Sequence, residues 1–284
     1  MKFTEISFTK MHGNGNDFVI FDEFNEEVVA EKEKPALVRA VCNRRFGVGG
    51  DGAIFVQRSD VADVRFRYFN SDGSEAAMCG NGIRCFARYV VEEGYTSRKL
   101  KAETLAGIKE LEVSVENCEY WVRVDMGTPV FEPEKISAIG GVFDGVWHKS
   151  FEVFGKKMDV YAVNTGVPHA VVFVDSMDFD IGEAKKIRYS DAFPEGTNVN
   201  FAKIVSRKEV EVRTYERGVE DETLSCGTGS VAVIAVASKL GLVEPKAIVK
   251  TKGGILRIEI AETAFITGKA VRVFDGVLKE VKKV

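Results

Sequence analysis

A cysteine thiolate takes a proton and a cysteine thiol gives one, and two cysteines of this chain share one setting. Residues 225–241, SCGTGSVAVIAVASKLG, pass from a short polar Gly-rich turn into an apolar segment of helix length. Residues 78–94, MCGNGIRCFARYVVEEG, repeat the plan: Cys, Gly, a small polar residue and Gly, then a helical apolar pattern closed by Gly. Cys226 and Cys79 are therefore expected at helix N-termini, where the first N–H groups lack intrahelical partners and the dipole favours negative charge. A thiol placed there ionises more easily than a free one. Two such cysteines point to two-base chemistry: a base on one face of a carbon, an acid on the other, with protonation swapped for the reverse direction. Backbone N–H groups at Gly80, Asn81, Gly227 and Thr228 are placed to hold a carboxylate as charge develops on it. The glycines allow a close backbone approach that a Cβ would block.

The elements around the cysteines repeat as well. Cys79 and Cys226 lie 147 positions apart, and FGVGGDGAI from Phe46 faces FPEGTNVNF from Phe193 at the same offset. VRFRYFN from Val64 faces VEVRTYE from Val210 at 146, and GNDFVIF from Gly15 faces VPHAVVF from Val167 at 152. Alternating apolar and polar residues mark these as strands, so the chain reads as two copies of one module: strand, loop and cysteine-led helix. In order, the pattern predicts a strand over 3–9, a Gly- and Asn-rich loop from His12 to Asp17, and a strand over 18–21. A helix then starts at Pro35 and ends at Gly47. Further expectations are meandering strands over 99–125 with Cys118 in a turn, a helix near 182–189, and closing strands around 247–260 and 270–277. DMGTPVFEP breaks the pattern from Asp125, which places the modules at 1–125 plus about 270–284, and 126–269.

Some features call for the plainer reading. GVGGDG over 47–52 matches a dinucleotide fingerprint in letters only, because it follows a helix and opens a strand. Cys42 and Cys85 lie on apolar helix faces and read as core. His12 suits a loop and His148 a surface position.

At 284 residues, 45% hydrophobic and 29% charged, the composition is that of an ordinary globular protein of about two domains. A formal charge of −4 with interspersed signs argues against nucleic acid or an anionic membrane as the main partner. The N-terminal MKFTEISFTK lacks an apolar signal core, and no run reaches a spanning length, so a cytoplasmic setting is expected. Five cysteines are an odd number, without C-x-x-C, and three scattered histidines offer no zinc spacing. Free thiols, no metal and no redox pair follow.

MHGNGNDF, GVGGDG, FNSDGSE, MCGNGIRC, DMGTP, FPEGTNVNF, YERG and SCGTG, in this order, resemble the motif set of the diaminopimelate epimerases over nearly the whole chain. The resemblance implies an isomerase that needs no cofactor and interconverts LL- and meso-2,6-diaminopimelate on the way to lysine and peptidoglycan. It implies an α+β fold of two pseudo-symmetric domains, each a curved mixed sheet wrapped around a central helix, with the active site in the cleft between them, and a homodimer. It also makes Cys79 and Cys226 the catalytic pair, with Asn16, Asn70, Asn198, Glu216 and Arg217 on substrate and His169 and Glu216 supporting the cysteines. Arg217 suits bidentate capture of the distal carboxylate.

Two departures bear on specificity. Val167 stands where many members have an Asn, and Gly52 where some have Gln. Asn164 and Asn14, nearby in sequence, are the expected substitutes. A pocket with fewer fixed polar contacts discriminates less well, so a broader amino-acid racemase of the proline- or lysine-racemase type is the alternative. A catalytically silent amino-acid-binding module would keep the asparagines and Arg217 but would not need both thiols.

Overall fold

The computed structural model describes residues 5–279, and the chain divides into two units, Met1–Val124 with Gly268–Val284, and Asp125–Thr267. The first unit opens with β1 (Ile6–Gly13) and β2 (Asn16–Glu23), followed by α1 (Lys34–Cys42), β3 (Gly52–Gln57), β4 (Val64–Asn70) and the short β5 (Glu75–Ala76). Then come α2 (Gly80–Glu92) and the meander β6 (Lys99–Thr104), β7 (Gly107–Glu116) and β8 (Glu119–Gly127). The second unit holds α3 (Pro133–Ile136), β9 (Val142–Phe143), β10 (Trp147–Val153), β11 (Lys156–Asn164), β12 (Pro168–Phe173) and α4 (Lys185–Arg188). It continues with β13 (Asn198–Ser206), β14 (Glu209–Glu216), β15 (Asp221–Thr223), α5 (Gly227–Lys239), β16 (Lys246–Thr251), β17 (Gly254–Ile260) and β18 (Ala264–Lys269). The last strand, β19 (Val271–Leu278), returns to the first unit and pairs antiparallel with β1.

The two sheets follow one plan. In the first unit the order is β19-β1-β2-β3-β4-β6-β7-β8, with β2–β3 and β4–β6 parallel and the remaining pairs antiparallel. In the second it is β10-β11-β12-β13-β14-β16-β17, with β12–β13 and β14–β16 parallel. The parallel central strands are covered on both faces and so read as near-continuous apolar runs, DFVIF and AIFV in one unit and HAVVF in the other. One face wraps a central helix. α2 packs on β1, β2, β3, β4 and β7, and α5 on β11, β12, β13, β14, β16 and β17. The opposite face carries a separate core: Leu37, Val38 and Val41 of α1 lie with Phe21, Phe55 and Phe69, and Ile187 of α4 lies with Trp147, Phe193 and Phe201. A helix enclosed by a curled sheet has no solvent face, which explains the unbroken apolar sequence of α5.

Three local expectations are corrected. The loop expected from His12 to Asp17 shrinks to Asn14 and Gly15, at φ of 54° and 84°, because Asn-Gly closes a two-residue hairpin turn between β1 and β2. α1 ends at Cys42 instead of Gly47: Asn43 is extended, and its Oδ1 accepts from the N–H groups of Arg45 and Phe46 to build a side-chain turn. Gly47 then lies against the carbonyls of Ala40 and Val41 with no space for a Cβ. The helix expected over 182–189 is one 3-10 turn, Ile181–Ala184, followed by the single turn of α4. The strand predicted over 3–9 falls partly outside the described residues. All five cysteines are free thiols. Among the described residues no helix is long and apolar enough to cross a membrane.

Candidate active site

Each cysteine is the N-cap of its helix. Cys79 is extended at φ −139° and ψ 117°, and its Sγ accepts from the N–H of Gly82 at 3.4 Å. Cys226, at φ −106° and ψ 113°, accepts from the N–H of Gly229, also at 3.4 Å. A sulfur in the place of the usual Ser or Asp oxygen thus takes up one of the orphan donors of the first turn. The remaining first-turn N–H groups, at Gly80 and Asn81 in α2 and at Gly227 and Thr228 in α5, sit around the same sulfur at the positive end of the helix. The geometry suits a thiolate that trades places with a thiol, and a carboxylate held beside it.

In the first unit the cysteine turn rests on polar groups from β1, β2 and the loop before β3. Asn16 donates from Nδ2 to Asp51 at 2.6 Å, while its Oδ1 accepts from Asn81 Nδ2 at 3.1 Å and faces the Cys79 thiol at 3.8 Å. Asp51 is itself held by Arg44, which also binds Asp17. The GVGGDG loop therefore does have a use: its aspartate fixes which end of the Asn16 amide meets the sulfur. Beneath the turn lies Arg84, wholly buried, donating to the Gly80 carbonyl at 3.0 Å, Asn14 Oδ1 at 3.1 Å and Asn81 Oδ1 at 2.8 Å. Gly13 provides the room, since a Cβ there would stand 3.1 Å from the guanidinium.

In the second unit the bed is neutral. His169 on β12 is fully buried, and burial together with the nearby Arg217 pushes its pKa down to about 3 against the pull of its Asn200 hydrogen bond. Asn200 donates to the Ala170 carbonyl at 2.9 Å, which fixes its amide, so its contact of 3.1 Å to His169 Nδ1 is also a donation. The imidazole is consequently the Nε2–H tautomer, and Nε2 is buried with no protein partner. Asn200 Oδ1 accepts from Thr214 and lies where a Cβ on Gly229 would go. Cys226 Sγ lies 3.4 Å from Thr228 Oγ1, and the Thr228 carbonyl accepts from Thr165 at 3.0 Å.

The other expected substrate residues stand at strand ends. Asn198 opens β13, donating to the Pro168 carbonyl at 3.1 Å and accepting the Arg217 N–H at 2.8 Å. Arg217 follows β14 and donates to the carbonyls of Glu195 and Gly196. Glu216, last in β14, accepts from Thr223 at 2.9 Å. Asn70 ends β4 and donates to Ser74 within its own turn. Asn14, expected to stand in for a missing substrate contact, holds Arg84, and Asn164, expected likewise, donates to the Lys135 carbonyl and accepts from Gly166. Gly52 has a packing reason, because Tyr68 and the Phe69 carbonyl fill the space of a side chain. His12 accepts weakly from Gly15 at 3.4 Å, as a loop residue does. Asp51, Arg84, Asn200 and Thr214 were not found from sequence. The only signal for Arg84 was a charge beside the apolar positions of an otherwise enclosed helix.

The family model for diaminopimelate epimerase matches residues 8–132 and 161–273. A diaminopimelate epimerase from Archaeoglobus fulgidus is 66% identical over 276 residues, covering 96% of both chains. One from Methanothrix thermoacetophila is 51% identical, covering 97% of both. Among solved structures, a phenazine biosynthesis protein of the PhzF family from Bacillus anthracis superposes with a TM-score of 0.67 at 20% identity over 97% of this chain and 99% of its own, a likeness of fold. The paired cysteine caps and the match along nearly the whole sequence lead to one conclusion: this chain belongs to the diaminopimelate epimerase family.

Proposed function

We propose that this chain interconverts LL- and meso-2,6-diaminopimelate without a cofactor, by a two-base mechanism in which Cys79 and Cys226 exchange protonation states. The observation that carries the assignment is the repetition of one cap geometry, a cysteine sulfur on the third N–H of a thirteen-residue helix, once in each unit. One sulfur, as thiolate, removes the α-proton. The C–H bond breaks, an S–H bond forms, and the electron pair left on carbon spreads into the neighbouring carboxylate. The other sulfur, as thiol, delivers its proton to the opposite face, and the carbon is inverted with no net gain or loss of protons.

The α-proton of an amino acid is weakly acidic, so most of the barrier lies in the carboxylate's developing charge. The N–H groups of Gly80, Asn81, Gly227 and Thr228 answer it, being fixed in direction before the reaction starts. Arg217 and Glu216 are assigned the distal carboxylate and ammonium, and Asn16, Asn70 and Asn198 the remaining polar contacts. His169, neutral and buried, supports Cys226 through its surroundings and carries no charge of its own. The homodimer and cytoplasmic setting implied by the resemblance belong to the same reading.

The test is α-proton exchange in D₂O, followed by NMR with LL-diaminopimelate, L-lysine and L-proline, for the unaltered protein and for Cys79→Ser and Cys226→Ser. Exchange with inversion confined to diaminopimelate and lost by about 10²- to 10⁴-fold in each folded variant is the expected result. A single variant with near-normal turnover would remove the two-base model. Strong exchange on lysine would make the enzyme a broader racemase, and no exchange on any substrate would leave a binding module.

A further inference from the structure

An arginine guanidinium is charged at every pH the fold survives, and a charge removed from water needs a counter-charge near it. Arg84 is fully buried, yet the three acceptors it meets are the neutral oxygens of Gly80, Asn14 and Asn81, and its Nε is buried without a partner. Burial lowers its pKa, and among the described residues the ionisable groups that oppose this are the thiols of Cys85 and Cys79.

The charged groups of the elements packed on α2 are engaged elsewhere. On β1, Lys10 binds Asp17 and the Gly49 carbonyl, and His12 is held toward its neutral form, chiefly by burial. On β2, Asp17 also binds Arg44, Asp22 accepts from Tyr89 and Tyr95, and Glu23 pairs with Lys34. On β4, Arg65 pairs with Glu103, and Arg67 with Glu31 and Glu75. The inward positions of β7 are Leu111 and Val113, with its charged residues at the more exposed ones. Along α2 itself, Arg88 binds Glu92. Among the described residues no carboxylate pairs with Arg84. Of the two thiols, Cys85 is fully buried and pushed up to about 12 by that burial, so it stays protonated. Cys79 remains.

We propose that the Arg84 guanidinium is the built-in counter-charge of the Cys79 thiolate, so that the resting enzyme carries its thiolate on Cys79 and its thiol on Cys226. The inference rests on the two-base reading above and assigns its starting state. The second unit argues the same way by contrast. Val231 occupies the matching place in α5, so no arginine stands below that turn, and the histidine on β12 is held uncharged, chiefly by burial. In this scheme Arg84 is a positioning residue that touches no substrate. Each turnover that leaves the thiolate on Cys226 must return a proton from Cys79 to restore the rest state.

The test reads ionisation without turnover. The rate of iodoacetamide alkylation of Cys79 (in Cys226→Ser) and of Cys226 (in Cys79→Ser) is followed against pH by mass spectrometry, with no substrate present. Cys79 is expected to reach half its limiting rate at least one pH unit below Cys226. Arg84→Met should move the Cys79 profile up by a unit or more, about a tenfold slower reaction near neutral pH, with Arg84→Lys restoring it and the Cys226 profile unmoved. An unmoved Cys79 profile in folded Arg84→Met overturns the proposal, since Arg84 then serves the fold or the substrate carboxylate. Should Arg84→Met fail to fold, the order of the two profiles and the Arg84→Lys variant decide: a lower half-point for Cys226 overturns it. Failure of the two-base reading would show separately, as retained proton exchange in a cysteine variant.

Discussion

Two helix starts of the same form rest on beds of opposite character. Under Cys79 the supports include charges: Arg84, buried below, and Asp51, which holds Asn16 and is tied down from solvent by Arg44. Under Cys226 they are neutral and sealed: His169, Asn200 and Thr214, each nearly or wholly out of solvent. A reaction that inverts a centre asks for like groups on its two faces, but the enzyme must also begin each cycle in one protonation state. The duplicated backbone supplies the likeness. The unlike beds supply the starting state, a division that a symmetric pair of half-sites could not make.

The largest contrast is expected at the two second glycines of the turns. A Cβ on Gly229 would stand on Asn200 Oδ1, an oxygen held by Thr214 on an amide fixed by two further hydrogen bonds. Gly229→Ala should cost about 1–3 kcal/mol and displace Cys226 with loss of turnover. Gly82→Ala meets only ordinary contacts near 3.4 Å, with Cys79 Cβ and Ile54, and should stay within about 0.5 kcal/mol of the parent. Paired denaturant titrations check both, and equal effects would dissolve the contrast. Asn200→Ala comes next. It strands the buried His169 Nδ1, the Ala170 carbonyl and the Thr214 hydroxyl, at a cost of about 1–3 kcal/mol.

The third effect appears only in acid. Burial lowers the folded pKa of His169 to about 3 from the ordinary 6.5, so below 6.5 the unfolded chain binds a proton that the folded chain refuses. Stability from this group is complete above 6.5 and is lost as pH falls toward 3. Chemical denaturation from pH 7 down to 4 should show this slope, and His169→Gln should flatten it. A slope unchanged by the substitution would mean other groups govern the acid limb. The smallest effect is Asp51→Asn, which frees the Asn16 amide to turn over and present Nδ2 to Cys79. Exchanging an acceptor for a donor beside that sulfur, worth about 1 kcal/mol, favours the thiolate and should lower the half-point of the Cys79 alkylation profile by less than one pH unit with the fold intact. The Cys226 alkylation profile should not respond.

How much of this could be read from the chain depends on how local each cause is. The cysteine caps were legible because Cys-Gly-x-Gly ahead of an apolar run carries the whole turn within five residues. The strands of both modules were legible from alternation, and the pairing of modules from a nearly constant offset. The Asn14–Gly15 turn was legible in principle, but two further Asn and Gly residues beside it made a longer loop look natural. Arg84 was not, because a charged residue on a helix normally marks the solvent face, and only a sheet curling from β1 to β7 abolishes that face here. Asp51 and Asn200 were equally hidden, since their partners lie 35 and 31 residues away. The end of α1 was missed because Asn43 stops the helix with its side chain, where Gly47 offered the louder signal.

The pairing of β19 with β1 joins Ile6 to Leu278, which sets an order of events during synthesis. Residues 125–267 form a continuous stretch in which β10 to β14, β16 and β17 find partners among themselves, so that sheet can close before β19 is made. The unit made first waits longest, its β1 edge open until β19 emerges. Closing so long a loop is slow, so the newborn first unit passes through a stage with an unpaired strand edge, the state most prone to aggregation. Pulse-labelled hydrogen exchange during refolding should accordingly protect β13 and β14 before β1.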